Sequence, residues 1–291
     1  MSKTSVLAHL ASEYPQLYLN PDTDSQEAYR RVVLQGEEPE NKSLNHYQGD
    51  PGDREELMET SAGSVRVVTL GNRRDFELAL RSLMAAKDGP LTPIPESQGA
   101  AMLTVFNWSR IHAHLALFPE EERAAEFKRF TAVRENYVDM LVLLSRGPYS
   151  HVDAATMGET EEEWLGHSDT IRRYHELTHV ICRRQYPGDV ALIRDELVAD
   201  VVGLVAAYGR FDPVLERRFL GIDADGRYIG GRLGNYADTP ETVTGPVCAA
   251  LEHIRATVEK QAGTEPFRLI PALMQTADIG ETKTQTRRNT P

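Results

Sequence analysis

A chain of 291 residues, 41% of them hydrophobic, can bury a substantial core as one large domain or two small ones. Its formal charge of −12, from 44 acidic against 32 basic residues, excludes a nucleic-acid surface, which needs a concentrated positive field. Two cysteines, Cys182 and Cys248, exclude a disulfide framework and a cysteine zinc cluster, and suit a reducing, cytoplasmic compartment.

The first residues, "MSKTSVLAHLASEYPQLYLN", have too short an apolar run for a signal peptide, so no secretion by that route is expected. They open an N-terminal region, residues 1–90, expected to hold a helical piece and a βα unit. Within it, residues 38–63 are polar and rich in turn formers, which predicts a long surface loop. "SVRVVTL" (64–70) is β-branched and bounded by Gly63 and Gly71, so it reads as a strand. The helix after it carries Phe76, Leu80, Leu83 and Met84 on one face.

A metal-binding helical core is expected over 91–275, with a disordered tail at 276–291. Three prolines make "GPLTPIPESQGA" (89–100) irregular, and Ser97, Gln98 and Asn107 are candidate substrate contacts beside an ordinary loop reading. The later half of "AMLTVFNWSRIHAHLALF" reads as helix. His112 and His114, two apart, are read as unrelated to any metal. Pro119 and the acids after it begin a helix predicted to run to Arg146, where Gly147-Pro148 ends it.

The next predicted helix has Ser168 as N-cap and closes at Tyr186-Pro187-Gly188, after the acidic run "GETEEEW" (158–164), read as a solvated face. Another runs through "DVALIRDELVADVVGLVAAYGRF". Neither 138–145 nor 197–209 is long enough to span a bilayer, so no membrane segment is expected. Residues 221–240 predict a hairpin or irregular loop; "DADG" (223–226) is a tight turn that lacks the later glutamate of a calcium loop. A helix from Pro240 and a short final helix follow. The expected class is α+β, predominantly α-helical, with a small β component.

The chemistry gathers at His175-Glu176-Leu177-Thr178-His179. Positions four apart lie one turn above each other, so the two imidazoles can aim at one point, as a tetrahedral zinc requires. Glu176, turned about 100° from His175, is placed to serve as general base for an activated water. Five such residues also arise by chance or cap a surface helix, but Leu177, Val180 and Ile181 give this helix an apolar face to bury. The third ligand is sought on the next helix, where Glu196 stands in "RDELVAD"; Asp200, one turn on, can accept an N–H from a ligand histidine. Ordinary helix charge near Arg194 is the competing reading of both acids. Tyr208 and Tyr236 lead the candidates for stabilising an oxyanion, ahead of Arg210 and Tyr228. Cys182 shares the ligand face and reads as a small core residue.

"HELTH" followed by "ELVAD" resembles the gluzincin metallopeptidases. Its Glu-x-x-Ala-Asp form is similar to that of CAAX-type membrane proteases, and the short spacing is similar to that of ImmA/IrrE-like zincins. The resemblance covers His175 to Asp200. It implies a helical zincin-like core in which His175, His179 and Glu196 bind zinc, Glu176 is the base, Asp200 supports a ligand, and the substrate is a peptide.

Two other readings stay open. Two histidines and a carboxylate also describe a non-haem Fe2+ site acting on a small molecule. A non-catalytic binding or regulatory protein would instead close its metal with a fourth ligand such as Cys182 or His253. Nothing in the sequence sets the oligomeric state.

Overall fold

The computed structural model describes residues 5–84, 94, 98–277, 279 and 280. It is α+β and mostly helical, with eleven α-helices and one four-stranded sheet among the described residues. Contacts divide the chain into two compact units, one gathering Met1–Met58 with Val65–Arg146, the other Glu59–Ser64 with Gly147–Thr290. The main boundary therefore falls between Arg146 and Gly147, where the sequence reading placed one near residue 90. The predicted tail lies almost wholly outside the described residues.

The first unit opens with α1 (Val6–Glu13), capped by the Ser5 side chain, and the single turn α2 (Gln26–Tyr29). β1 (Arg54–Thr60) and β2 (Gly63–Leu70) follow, then α3 (Arg73–Met84), β3 (Ala100–Phe106), α4 (Trp108–Leu115), α5 (Glu120–Thr131) and β4 (Val138–Ser145). The sheet order is β1-β2-β4-β3. β2 runs parallel to β4 with Val67 opposite Val142, and β3 runs antiparallel to β4 with Ala101 opposite Leu143.

Two expectations fail here. The predicted helix from Pro119 to Arg146 stops at Thr131, and residues 138–145 form the inner strand β4. Leu141 to Ser145 are all buried, because a strand between two neighbours and under helices needs apolar residues on both faces. Such a run has no alternation to separate it from a buried helix. The loop predicted over 38–63 contains β1, whose "REELMET" carries charges because it is an edge strand, half exposed.

In the second unit, α6 (Ala154–Met157) precedes α7 (Glu161–Gln185), the longest helix. α7 begins seven residues before the predicted N-cap: Thr160 caps it, and Glu163 returns the bond in a capping box, so the acidic run is the helix's first turn. Ser168 lies inside α7, fully buried, and its Oγ accepts the Tyr149 backbone N–H at 2.9 Å. α8 (Leu192–Tyr208), α9 (Pro213–Leu220), α10 (Pro240–Lys260) and α11 (Ile270–Thr276) complete the unit. No described helix is long and apolar enough to cross a membrane.

α7 and α8 pack side by side along most of their length, joined by a six-residue turn at 186–191. They approach closely at Gly203, where an added Cβ would stand 2.8 Å from the Ile171 carbonyl oxygen. The approach needs a residue without a side chain, because backbone on the other helix cannot step aside. One turn along from this contact stand His175 and Asp200, and one turn further His179 and Glu196. Gly203→Ala is expected to destabilise the protein by about 1–3 kcal/mol through overpacking, which urea unfolding of the variant beside the wild type checks.

Candidate metal centre

α7 carries its chemistry at intervals of one turn. Trp164, Ser168 and Arg172 first fix the segment before α6: Trp164 Nε1 donates to Val152 O (2.6 Å), and Arg172 donates to the carbonyls of Gly147 (2.5 Å) and Pro148 (2.6 Å). These bonds set Tyr149 down beside the motif. Ser150 and His151 hold the turn in the left-handed region, at φ 51° and 56°, a conformation costly for residues with a Cβ.

His175, His179 and Glu196 bring three donor atoms within 4.8 Å of one another, the single such cluster of histidine, cysteine and acidic groups among the described residues. His175 Nε2 lies 3.0 Å from His179 Nε2, and each is 3.5 Å from an oxygen of Glu196. Donors of a tetrahedral zinc stand about 3.3 Å apart, so these residues fit the ion with shifts of a few tenths of an ångström. Glu176 is buried beside them, and its charge acts on His175.

Asp200 is 0% exposed and accepts His175 Nδ1 at 2.8 Å. That bond fixes the tautomer: Nδ1 keeps its hydrogen, and Nε2 faces the cluster. Burial alone would raise the Asp200 carboxyl, but the charges of Arg232 and His175 and their hydrogen bonds hold it far below the usual carboxylate range. Burial likewise lowers His175, and Asp200 outweighs it, so His175 ends above its ordinary value. His179 is held down at about 4 by burial, with Glu196 too weak to compensate. The two Nε2 atoms stand within hydrogen-bond distance of each other in the chain alone.

Two residues that the sequence reading missed complete the surroundings. Arg232 Nη2 donates to both oxygens of Asp200 (2.9 and 2.8 Å) and lies 3.7 Å from Glu196, while Nη1 donates to Tyr149 Oη at 2.7 Å. Tyr149 Oη donates to Asp200 at 2.5 Å. Their sequence signal was slight: an arginine in a glycine-rich loop and a tyrosine after Gly-Pro. The glycines, however, are structural. Gly221, at φ 78°, would place a Cβ 2.2 Å from Gly230 O, and Gly231 would place one 2.6 Å from the Gly221 Cα, so the loop bearing Arg232 lies directly on the end of α9.

The remaining candidates separate cleanly. Tyr236 reaches the centre through Arg232, whose Nε donates to its hydroxyl at 3.1 Å. Tyr208 does not join it: two turns beyond Asp200, about 12 Å along α8, its hydroxyl donates to Glu159 at 2.9 Å. Tyr228 is bound to Gly231, Arg210 and His253 are exposed, and Cys182 is buried outside the cluster with its thiol pushed up to about 12. Asn107 caps α4 and donates to Asp139, His112 bonds Val33 O, and His114 stacks on Phe130. The Gln98 carbonyl accepts from Arg73, and Ser97 lies outside the described residues. Asp223 accepts the N–H groups of Asp225 and Arg227, which makes "DADG" the expected turn.

The low His179 value has a consequence for metal-free protein. Between pH 6.5 and 4 the unfolded chain binds a proton on this residue that the folded chain refuses, so stability falls as pH drops through that window. Asp200 has the same sign at lower pH: its contribution is present above about 4 and is lost on further acidification. His179→Gln is expected to remove about 2–3 kcal/mol of the change across the first window; urea midpoints at pH 4.5 and 7 in the presence of chelator measure it.

Neither a curated protein nor a solved structure matches this chain. A family does match, over residues 1–264, and the chain belongs to it: DUF7005, a family of unknown function.

Proposed function

We propose that this protein is a zinc-dependent hydrolase that uses water to cleave an amide or peptide bond. The observation that carries the reading is the convergence of His175 Nε2, His179 Nε2 and a Glu196 carboxylate, with a buried glutamate, Glu176, next to the first ligand. When bound, zinc supplies a Lewis acid that polarises a carbonyl and acidifies water. Glu176 takes the proton from the attacking water and returns it to the leaving nitrogen, as a carboxylate adjacent to the reacting atoms can. Asp200 holds His175 in its productive tautomer throughout, and Arg232 and Tyr149 keep Asp200 ionised in place. Tyr236 is the candidate for stabilising the developing oxyanion, since its hydroxyl accepts from Arg232, whose guanidinium lies 3.7 Å from Glu196.

Three protein donors, with a fourth position left to water or substrate, is the pattern of a catalytic rather than a structural zinc site. Cys182 and His253, which a closed site would require, stand outside the cluster. The same donor set would serve Fe2+ in oxidative chemistry on a small molecule, and the metal recovered from the protein discriminates the two. The two unpaired cysteines support a cytoplasmic location.

Protein purified without an affinity metal is expected to contain one equivalent of zinc by elemental mass spectrometry, lost in His175→Ala and Glu196→Ala. Glu176→Gln should retain the zinc and lose about 10²–10⁴-fold in the rate of amide hydrolysis, the usual contribution of a general base. Iron in place of zinc, or an unchanged rate in Glu176→Gln, overturns the proposal.

A further inference from the structure

A cavity of about 220 Å³ opens in the second unit between α6, the end of α8 and α9, and none of the residues around it belongs to the donor cluster. Sites for drug-sized ligands begin at about 300 Å³, so this one admits a molecule of roughly one residue. Its wall is of two kinds. Met157, Leu204 and Leu215 supply apolar surface, while Arg210, Arg218, Glu159 and Asp212 supply two charges of each sign. The arginines are largely uncommitted. Arg210, just past the end of α8, makes no ion pair among the described residues; Arg218, in the last turn of α9, donates Nη1 to Thr156 O at 2.9 Å and has no carboxylate beside it. The two acids differ. Glu159 accepts the Tyr208 hydroxyl on one oxygen at 2.9 Å and lies 2.9 Å from His167 Nδ1 with the other, so its charge is already answered within the chain. Asp212, the cap of α9, accepts the Val214 N–H on Oδ1 at 2.9 Å and leaves Oδ2 uncommitted.

We infer that this cavity binds a free amino acid with an apolar side chain. Its carboxylate pairs with Arg210 and Arg218, its ammonium with Asp212, and its side chain lies against Met157, Leu204 and Leu215. The uncommitted groups in the wall select this chemistry. Two guanidiniums suit the oxygens of a carboxylate, in the charge-assisted contacts that arginine favours, and one free carboxylate oxygen remains for a cation. A simple anion would meet the Asp212 charge, and a simple cation would meet two guanidiniums; a zwitterion answers both. The apolar surface sets the side chain, since a polar one would give up its water there and find no partner. A peptide does not meet these demands, because its ammonium and its carboxylate stand on different residues. The cavity is separate from the metal centre: Tyr208, at its edge, lies two turns beyond Asp200 along α8, and binding here requires no metal.

Equilibrium dialysis of labelled L-leucine against the full-length protein tests this, with one saturable site per chain as the expected result. Two probes divide the charges: isocaproate lacks the ammonium, and isoamylamine lacks the carboxylate. Each should displace the label at least about tenfold more weakly than leucine itself, the loss of one charge-assisted contact. Arg210→Gln and Arg218→Gln should each weaken leucine binding about tenfold, whereas Arg217→Gln, beside Arg218 on α9 but outside the cavity, should bind within about twofold of wild type. The absence of saturable binding by leucine, valine and phenylalanine overturns the inference. Isocaproate that competes as well as leucine also overturns it, by making the site one for simple anions. So does leucine binding that survives undiminished when both arginines are replaced, which would place the ligand elsewhere, the metal centre included. Arg210 and Arg218 are exposed, so these variants are expected to fold. Should loss of the Thr156 bond unfold Arg218→Gln, Arg210→Gln and the two probes still decide.

Discussion

A carboxylate with no access to water is the constraint on which the second unit is built. Asp200 sits mid-helix among valines, leucines and alanines, and a bare charge there would unfold the unit or take up a proton. It is instead surrounded by three groups from three separate segments: His175 of α7, Arg232 of the glycine-rich loop and Tyr149 of the turn before α6. Each of these segments has its place set by that one side chain. Arg232 is as dependent on Asp200 as Asp200 is on it, since the arginine is itself largely buried and its remaining bonds go to tyrosines and a serine.

The backbone is shaped to let these groups meet. Gly203 lets α8 approach α7 closely enough for His175 and Asp200 to touch, and the mutual contact of Gly221 with Gly230 and Gly231 lays the Arg232 loop against α9. Trp164, Ser168 and Arg172 hold Tyr149 from the same face of α7 that, two turns on, presents the histidines. A single helix thus carries the two clustered histidines at one end of its inner face and the means of placing Tyr149 beside them at the other.

That division explains what the sequence could disclose. The donors were legible because helical periodicity alone brings His175 to His179 and Glu196 to Asp200, and the turn at Tyr186-Pro187-Gly188 folds the two pairs together. Arg232 and Tyr149 come from segments whose proximity depends on tertiary packing, and no local spacing announces it. Tyr208 misled for the same reason: it follows Asp200 on α8, but two further turns take its ring to Glu159. In the first unit, "SVRVVTL" was readable as a strand because β-branched residues lie between two glycines. Val138–Ser145 was not, since an inner strand buried on both faces loses the alternation that distinguishes strand from helix. The polar β1 disappeared into the loop for the opposite reason, its edge position tolerating the charges that conceal it.

The two histidines are not equivalent. His175 is tied at Nδ1 to a carboxylate that the Arg232 loop and the Tyr149 turn also hold, so its Nε2 points in one direction only. His179 is 19% exposed at its side chain, is neutral down to about pH 4, and among the described residues meets no acid other than Glu196. A buried ion network of this kind is a poor means of gaining stability, because well-packed apolar residues of similar volume would serve as well or better. What apolar residues could not do is hold one imidazole in a chosen tautomer and direction while leaving its partner free to adjust. The energy committed around Asp200 is therefore explained by geometry at His175 Nε2, the atom to which every other group in the cluster must be brought.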